Sequence, residues 1–365
     1  MRSHECRRAL LRAPSLAWDV LLRGRYSFIY DRMPMLAAGM DRAKRLNLFM
    51  SGANLLYRRP RPWSMPLHMQ FELTSFCNLR CPVCPTGTRL LGRPPQAMDV
   101  ALFERVLEET GPYLLTMSLW GWGEPLLHPR LAEMLRVARK YPAVKLLSTN
   151  GQNLDQPRVL DALISEPPDY LILALDGLTD ETNTRYRVGA RMEPALEGIR
   201  KLAEMKRARG LRLPVLNMRF IVMKHNQHEL PLLEDFARRH EFELLSIRSL
   251  YMIESTTNER TREELPPAGE RGAGRDGFIC QHPFWFPTVF ADGTLVLCEQ
   301  DYGADLSAGR VADGVSFRQL WYSDATARLR EQIRDHPEGV SFCRKCPCMG
   351  ISRTDFNVES RVLTK

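Results

Sequence analysis

From Pro66 onward, hydrophobic and polar positions follow two alternating periods. The short apolar runs "HMQFEL", "LLTMSL", "VKLLS", "YLILAL", "VLNMRFIV" and "FELLSI" read as strands. Between them, "ALFERVLEE", "RLAEMLRVARK", "EPALEGIRKLAEMKRAR" and "ELPLLEDFARRH" place apolar residues at helical spacing. Six strands interleaved with helices predict an α/β fold on a parallel sheet, either open and doubly wound or an incomplete barrel. In both, the functional site is expected beyond the carboxyl ends of the strands.

The pattern stops after "SIRSLYMI". Residues 254–277, ending "LPPAGERGAGRDG", read as a linker, and residues 278–350 as a Cys-rich module too small for a large core. Such a module is a natural candidate for stapling by metal. The expected organisation is therefore an extension (1–65), a core (66–253), the linker (254–277), the Cys-rich module (278–350) and a tail (351–365).

The extension has its own pattern. "LAWDVLLRGRYSFIYDRM" and "AKRLNLFMSGANLLYRR" mix large apolar residues with arginines, which predicts amphipathic helices with a cationic face. Charge sharpens this: residues 1–65 hold 13 Lys/Arg against 4 Asp/Glu, so the whole basic excess of a chain with net charge +8 lies there. One reading is a helical cap whose apolar face packs on the core and whose arginines are solvated; the other is peripheral contact with an anionic membrane surface. Nucleic acid ranks last, because no stacking motif or helix-turn-helix signal accompanies the charge.

No run of 18 apolar residues occurs, and the Arg-studded start lacks the apolar stretch of a signal peptide. A cytoplasmic protein is expected, peripheral at the inner face of the membrane if the extension binds lipid. Nine cysteines in that compartment point to metal or redox chemistry rather than to disulfides.

Cys77, Cys81 and Cys84 follow the first strand within "ELTSFCNLRCPVCPTG". Three soft thiolates suit zinc or an iron–sulfur cluster; His68 or His128 would have to close a zinc site, whereas a [4Fe-4S] cluster held by three cysteines keeps one iron open. Cys280 and Cys298 flank an Asp292-Gly293 hairpin turn in "CQHPFWFPTVFADGTLVLC", and "CRKCPC" adds Cys343, Cys346 and Cys348. Four of these make a plausible thiolate site, with zinc as the alternative.

The CxxxCxxC spacing after the first strand resembles the signature of the radical S-adenosylmethionine (SAM) enzymes, and further motifs follow in that family's order over residues 66 to about 350. The resemblance implies a partial (β/α)6 TIM-like barrel and a [4Fe-4S] cluster with an open iron site that chelates SAM. It also implies reductive release of a 5′-deoxyadenosyl radical and a reducing partner such as flavodoxin or ferredoxin. "GWGEP" resembles the SAM-amine turn, with Gly121, Gly123 and Glu124; "STNG" supplies Ser148, Thr149 and Asn150 where SAM is contacted. "LALDG" brings Asp176, with Ala174 in place of the usual serine. "RYRVG" brings Arg187 as partner of the SAM carboxylate, with Arg185 as the alternate.

The C-terminal pattern is similar to a shortened SPASM or "twitch" module. That implies one auxiliary [4Fe-4S] cluster on Cys280, Cys298, Cys343 and Cys346. The substrate stays open between peptides, lipid-linked molecules and other small molecules. A peptide-recognition domain is not expected in the extension, which lacks strand–turn signals. His225, Arg248, Tyr251 and Asp301 are candidate pocket residues. The alternative of another class is a non-catalytic zinc or iron–sulfur protein.

Overall fold

The computed structural model describes residues 18–30, 33–37, 39–57, 59–250, 280–312, 314–344, 346 and 359–363. The linker, Cys6, Tyr251, Cys348 and most of the tail lie outside the described residues.

The six strands expected from the sequence are β3 (His68–Phe71), β4 (Thr116–Ser118), β5 (Val144–Thr149), β6 (Tyr170–Ala174), β7 (Val215–Val222) and β8 (Leu244–Ser249), following a hairpin of β1 (Ser27–Tyr30) and β2 (Met33–Leu36). They pair side by side, all parallel, with β3 on Thr116 to Ser118 at one side and β8 on Asn217 to Val222 at the other. Each pair is joined through a helix, as a parallel connection requires. The helix Val100–Thr110 starts where Asp99 accepts from the amides of Ala101 and Leu102, and buries Phe103, Val106 and Leu107 against the sheet. The helices Leu131–Arg139, Pro157–Ser165 and Met192–Ala208 bury Met134, Leu163, Ile199 and Leu202 in the same core.

The sheet is not closed. Ten strands run in the order β11-β10-β9-β3-β4-β5-β6-β7-β8-β12, with β9 (Thr288–Val289), β10 (Thr294–Val296), β11 (Ser307–Arg310) and β12 (Glu359–Val362) supplied by the C-terminal chain. The Cys-rich module is thus continuous with the core: β9 lies parallel to β3, and β10 and β11 add antiparallel strands beyond it. At the turn between β9 and β10, Gly293 adopts φ +90°, the left-handed conformation expected of an Asp-Gly hairpin. The antiparallel β12 covers the opposite edge along β8.

The extension departs from expectation twice. It is not all helix: β1 and β2 form an antiparallel pair, with Ser27 opposite Leu36 and Phe28 opposite Met35. Arginines between the apolar residues masked the period-two pattern of "SFIY" and "MPML". The helix Arg42–Tyr57 also reverses the expected orientation, because Lys44, Asn47, Ser51 and Asn54 are buried while Leu46, Phe49, Leu56 and Tyr57 are exposed. Among the described residues no helix is long and apolar enough to cross a membrane.

Candidate active site

The loops that follow β3, β4, β5 and β6 emerge at one end of the sheet and are bonded to one another. After β3, Thr74 Oγ1 donates to the carbonyl of Glu124 (2.9 Å), and the Glu124 amide donates to the carbonyl of Phe76 (2.9 Å). Gly123 is obligatory at this crossing, since a Cβ there would lie 2.1 Å from the Thr74 carbonyl oxygen. A Cβ on Gly121 would stand 2.7 Å from that of Glu72. The two glycines in "GWGEP" therefore serve close approach of backbone to backbone.

Glu124 is buried and its carboxylate ties two loops together. Oε1 accepts from Thr149 Oγ1 (2.7 Å) and the Leu126 amide (3.0 Å), and Oε2 accepts from the Asn150 amide (2.8 Å). Burial raises its pKa, against the lowering effect of these donors and of Arg187. The carboxylate expected to meet a cationic ligand is thus largely occupied as a staple between the β4 and β5 ends. Ser148 sits within β5 opposite Ile172, its side chain half-exposed.

The three thiols lie over this staple. Cys81 is buried, and Cys77 and Cys84 are half-buried. Cys77 Sγ accepts from the Leu79 amide (3.4 Å) and from Asn150 Nδ2 (3.5 Å), whose amide group also reaches Asn78 (2.8 Å). Arg187 donates to the Cys81 thiol. Burial pushes the Cys77 thiol up to about 12 and Cys81 up to about 11, with neighbouring thiols adding to both shifts. The three cysteines pack into one cluster with Leu79, Val83, Tyr186 and Met223. Gly87 holds the loop closed, since a Cβ there would fall 2.4 Å from the Cys81 carbonyl oxygen.

Asp176 and Arg187 form the far wall. Asp176 Oδ2 accepts from Arg187 Nε (2.5 Å) and Oδ1 from the Ile221 amide (2.8 Å). Asp176 is fully buried, so it fixes Arg187 rather than capping the following helix, which Thr179 caps. Arg187 faces Cys81, whereas Arg185 is exposed.

Neither histidine joins the thiols. His68 begins β3, at the end of the strand away from the cysteines, where Nδ1 bonds Thr116 Oγ1 (2.8 Å). His128 engages both ring nitrogens, with the Met98 carbonyl (2.9 Å) and the Arg130 amide (3.1 Å). The donor set that remains is three thiols with N–H groups aimed at two of the sulfurs, which fits a cluster held by cysteines.

In the C-terminal module, Cys298 follows β10, Cys343 lies in the helix Ser341–Arg344 and the Cys346 amide turns back to the Cys343 carbonyl (3.0 Å). Cys298 and Cys343 are buried beside Leu306, Ile333 and Val340, with Cys280 packed against them. Burial raises Cys298, helped by Cys280 and Cys346, and pushes Cys343 up to about 12, helped by the same two thiols. The structure thus brings all four together. Among the described residues no three His, Cys, Asp or Glu side chains converge on one ion position. A cubane distributes its thiolates over separate irons and does not require such convergence. Asp301 is spent on its own loop, accepting from the amides of Leu306 (2.7 Å) and Asp305 (3.1 Å). Arg248 stands on β8 opposite Ile221.

Sequence reasoning missed the ion pair beneath the site. Glu72, in β3's extension, takes a two-pronged bond from Arg93 (2.6 and 2.7 Å) and also accepts from the Ala291 amide (3.3 Å). Arg93 Nε donates to the Tyr302 carbonyl (3.1 Å), and its guanidinium lies 3.7 Å from the Phe290 ring centroid. The signal available was an acidic residue inside an otherwise apolar strand.

Residues 71–236 match the model of the radical SAM superfamily. The chain is 30% identical to the PqqA peptide cyclase of Gluconobacter oxydans over 177 residues, 48% of this chain and 47% of that protein. It is 30% identical to the GTP 3′,8-cyclase of Chlorobaculum tepidum over 181 residues, 48% of this chain and 51% of that protein. It therefore spans about half the length of these curated relatives. The crystal structure of Streptococcus suis SuiB superposes with a TM-score of 0.60 at 17% identity, covering 84% of this chain and 76% of SuiB. Sheet order, the three-cysteine loop and the family model agree, and the chain carries a radical SAM domain.

Proposed function

We propose that the protein is a radical SAM enzyme in which Cys77, Cys81 and Cys84 hold a [4Fe-4S] cluster with an open iron, and Cys280, Cys298, Cys343 and Cys346 hold one auxiliary [4Fe-4S] cluster. The observation that carries this reading is the packing of Cys77, Cys81 and Cys84 into one cluster over the Glu124 staple, at the strand ends where the "GWGEP", "STNG" and "LALDG" loops meet. When bound, the reduced cluster and SAM supply a one-electron cleavage that delivers a hydrogen-abstracting 5′-deoxyadenosyl group.

The residues of this chain do the positioning. Gly121 and Gly123 bring the β4 loop against the β3 loop, where backbone carbonyls would receive the SAM amine. Asn150 orients the Cys77 sulfur, Thr149 holds Glu124, and Ser148, on the opposite face of β5, offers a half-exposed hydroxyl to SAM. Arg187, held by Asp176, stands beside Cys81 to meet the SAM carboxylate. A cluster fully ligated by the four auxiliary thiols would suit electron transfer, and a flavodoxin or ferredoxin is the expected reductant.

The substrate is read as one presented at a membrane surface, a lipid-linked or similar molecule, on the strength of the cationic extension. The second reading is a peptide, favoured by the likeness to PqqA peptide cyclase.

The test is anaerobic reconstitution with iron and sulfide, followed by dithionite and SAM. The wild type is expected to release 5′-deoxyadenosine, and a Cys77→Ala/Cys81→Ala/Cys84→Ala variant is not. A fully iron-loaded protein that fails to bind SAM would refute the proposal in favour of a metal scaffold.

A further inference from the structure

The helix Arg42–Tyr57 is inside out. Beside the buried Leu48, its inward face carries polar side chains, and Lys44, Asn47 and Asn54 there are spent on bonds to other segments. Lys44 Nζ donates to the Pro142 carbonyl (2.6 Å), and Asn47 both donates to the Met65 carbonyl (3.2 Å) and accepts from the Met65 amide (2.8 Å). Asn54 Nδ2 donates to Ser64 Oγ (2.8 Å), and its Oδ1 accepts from the Trp63 amide (2.9 Å). Rolling the helix to bury its apolar side would break all five, so the orientation is fixed.

The outward face carries Leu46, Phe49 and Leu56, respectively 55%, 49% and 57% exposed, at spacings of three and seven that align side chains along one stripe. At its carboxyl end Tyr57 meets Trp63 edge-on at 5.9 Å, and the Arg59 guanidinium lies 4.3 Å from the Trp63 ring centroid. At its other end Arg45 Nη1 donates to the Leu21 carbonyl (3.2 Å), which ties in the turn bearing exposed Trp18 and Leu22. Of the 16 large hydrophobic side chains exposed among the described residues, ten fall between Trp18 and Trp63. Such concentration in one-eighth of the chain marks a docking surface rather than ordinary surface scatter.

We infer that this face seats on an anionic lipid surface, with Leu46, Phe49 and Leu56 in the headgroup–acyl boundary, Trp18, Tyr57 and Trp63 at its level and the arginines on the phosphates. The inference gives the membrane-surface reading of the substrate a specific docking face, and it does not depend on the radical chemistry. Two observations select lipid. Residues 1–65 carry a net charge of +9 against −1 for the rest, and Arg25, Arg42 and Arg59 are exposed around the stripe. A second copy of this chain would set the same arginines against one another, whereas an anionic bilayer accepts both the apolar stripe and the charge.

The test uses the full, anaerobically reconstituted chain and sedimentation with vesicles of phosphatidylcholine containing about one-third phosphatidylglycerol, beside vesicles of phosphatidylcholine alone. Wild type is expected to partition onto the anionic vesicles at least about tenfold better than onto the neutral ones, and Leu46→Glu/Phe49→Glu to lose at least about tenfold of that binding. Leu211→Glu, an exposed apolar position in the core domain, is expected to bind as wild type does. Equal binding by wild type and the double variant overturns the proposal, as does wild-type failure to bind anionic vesicles or a dimer that the double variant abolishes without any wild-type lipid binding. Formation of 5′-deoxyadenosine without vesicles reads the chemistry separately, so loss of one conclusion leaves the other standing.

Discussion

Replacing Arg93 by alanine should loosen the seam between the radical SAM domain and the Cys-rich module. Glu72 is fully buried and Arg93 is 13% exposed at the side chain, so the variant leaves a carboxylate without its cation in a dry site. Breaking a buried pair from one side costs about 3–5 kcal/mol, of which the two charge-assisted bonds account for most. The Ala291 amide reports on the same carboxylate, because it donates to Glu72 Oε1, which Arg93 no longer holds in place. If the whole cost falls on local opening of that seam, the Ala291 and Glu72 amides should exchange with deuterium at least about a hundredfold faster than in wild type, at about 1.4 kcal/mol per tenfold. Amides in β6 and β7, remote from the pair in the sheet order, serve as the internal reference. Glu72→Gln in the Arg93→Ala background should recover part of the loss by removing the orphaned charge, giving a coupling of at least about 1 kcal/mol. Exchange at Ala291 within about threefold of wild type in Arg93→Ala would show that the pair holds nothing together, and the reasoning would fail.

Gly123→Ala should weaken SAM binding at least about tenfold by calorimetry, since its Cβ would collide with the Thr74 carbonyl at 2.1 Å and part the two loops. Gly52→Ala is the opposite case: nothing lies within 4 Å of the new Cβ on an exposed helical turn, so urea unfolding should show a gain of about 0.5–1 kcal/mol. Burial lowers Lys44 to about 8 from 10.5, so between those pH values the unfolded chain keeps a proton that the folded one has released. Stability should therefore rise with pH across that window, by on the order of 2 kcal/mol, and the rise should vanish in Lys44→Met when urea midpoints are compared.

The strands of the core were legible because each is an apolar run bounded by turn residues, and "VLNMRFIV" coincides with β7 residue for residue. The cysteine loops were legible because thiol spacing is a local property of the chain. What escaped was long-range. The pairing of β9 with β3 depends on a two-residue strand that leaves almost no pattern, and the Glu72–Arg93 bond depends on a loop whose path no local rule fixes. That Glu124 also ties two loops together was not legible for the same reason: its donors Thr149 and Asn150 come from a different strand end. The helix Arg42–Tyr57 defeated the usual assignment of apolar faces to the interior, because buried asparagines there find backbone partners in residues 63–65.

The covering of both edges of the parallel sheet by strands from the C-terminal chain has a consequence during synthesis. β3 leaves the ribosome early, yet the strand that covers its outer edge arrives only with residues near Ala291, which bonds Glu72 across 219 positions. At translation speeds of about 5–20 residues per second, that edge waits roughly 10–40 s with its amides unpaired. The other flank, β8, is covered later still, by β12. The nascent chain therefore holds an apolar six-strand sheet open at both margins until nearly its whole length has emerged, and a chain released early would present two adhesive borders to its neighbours.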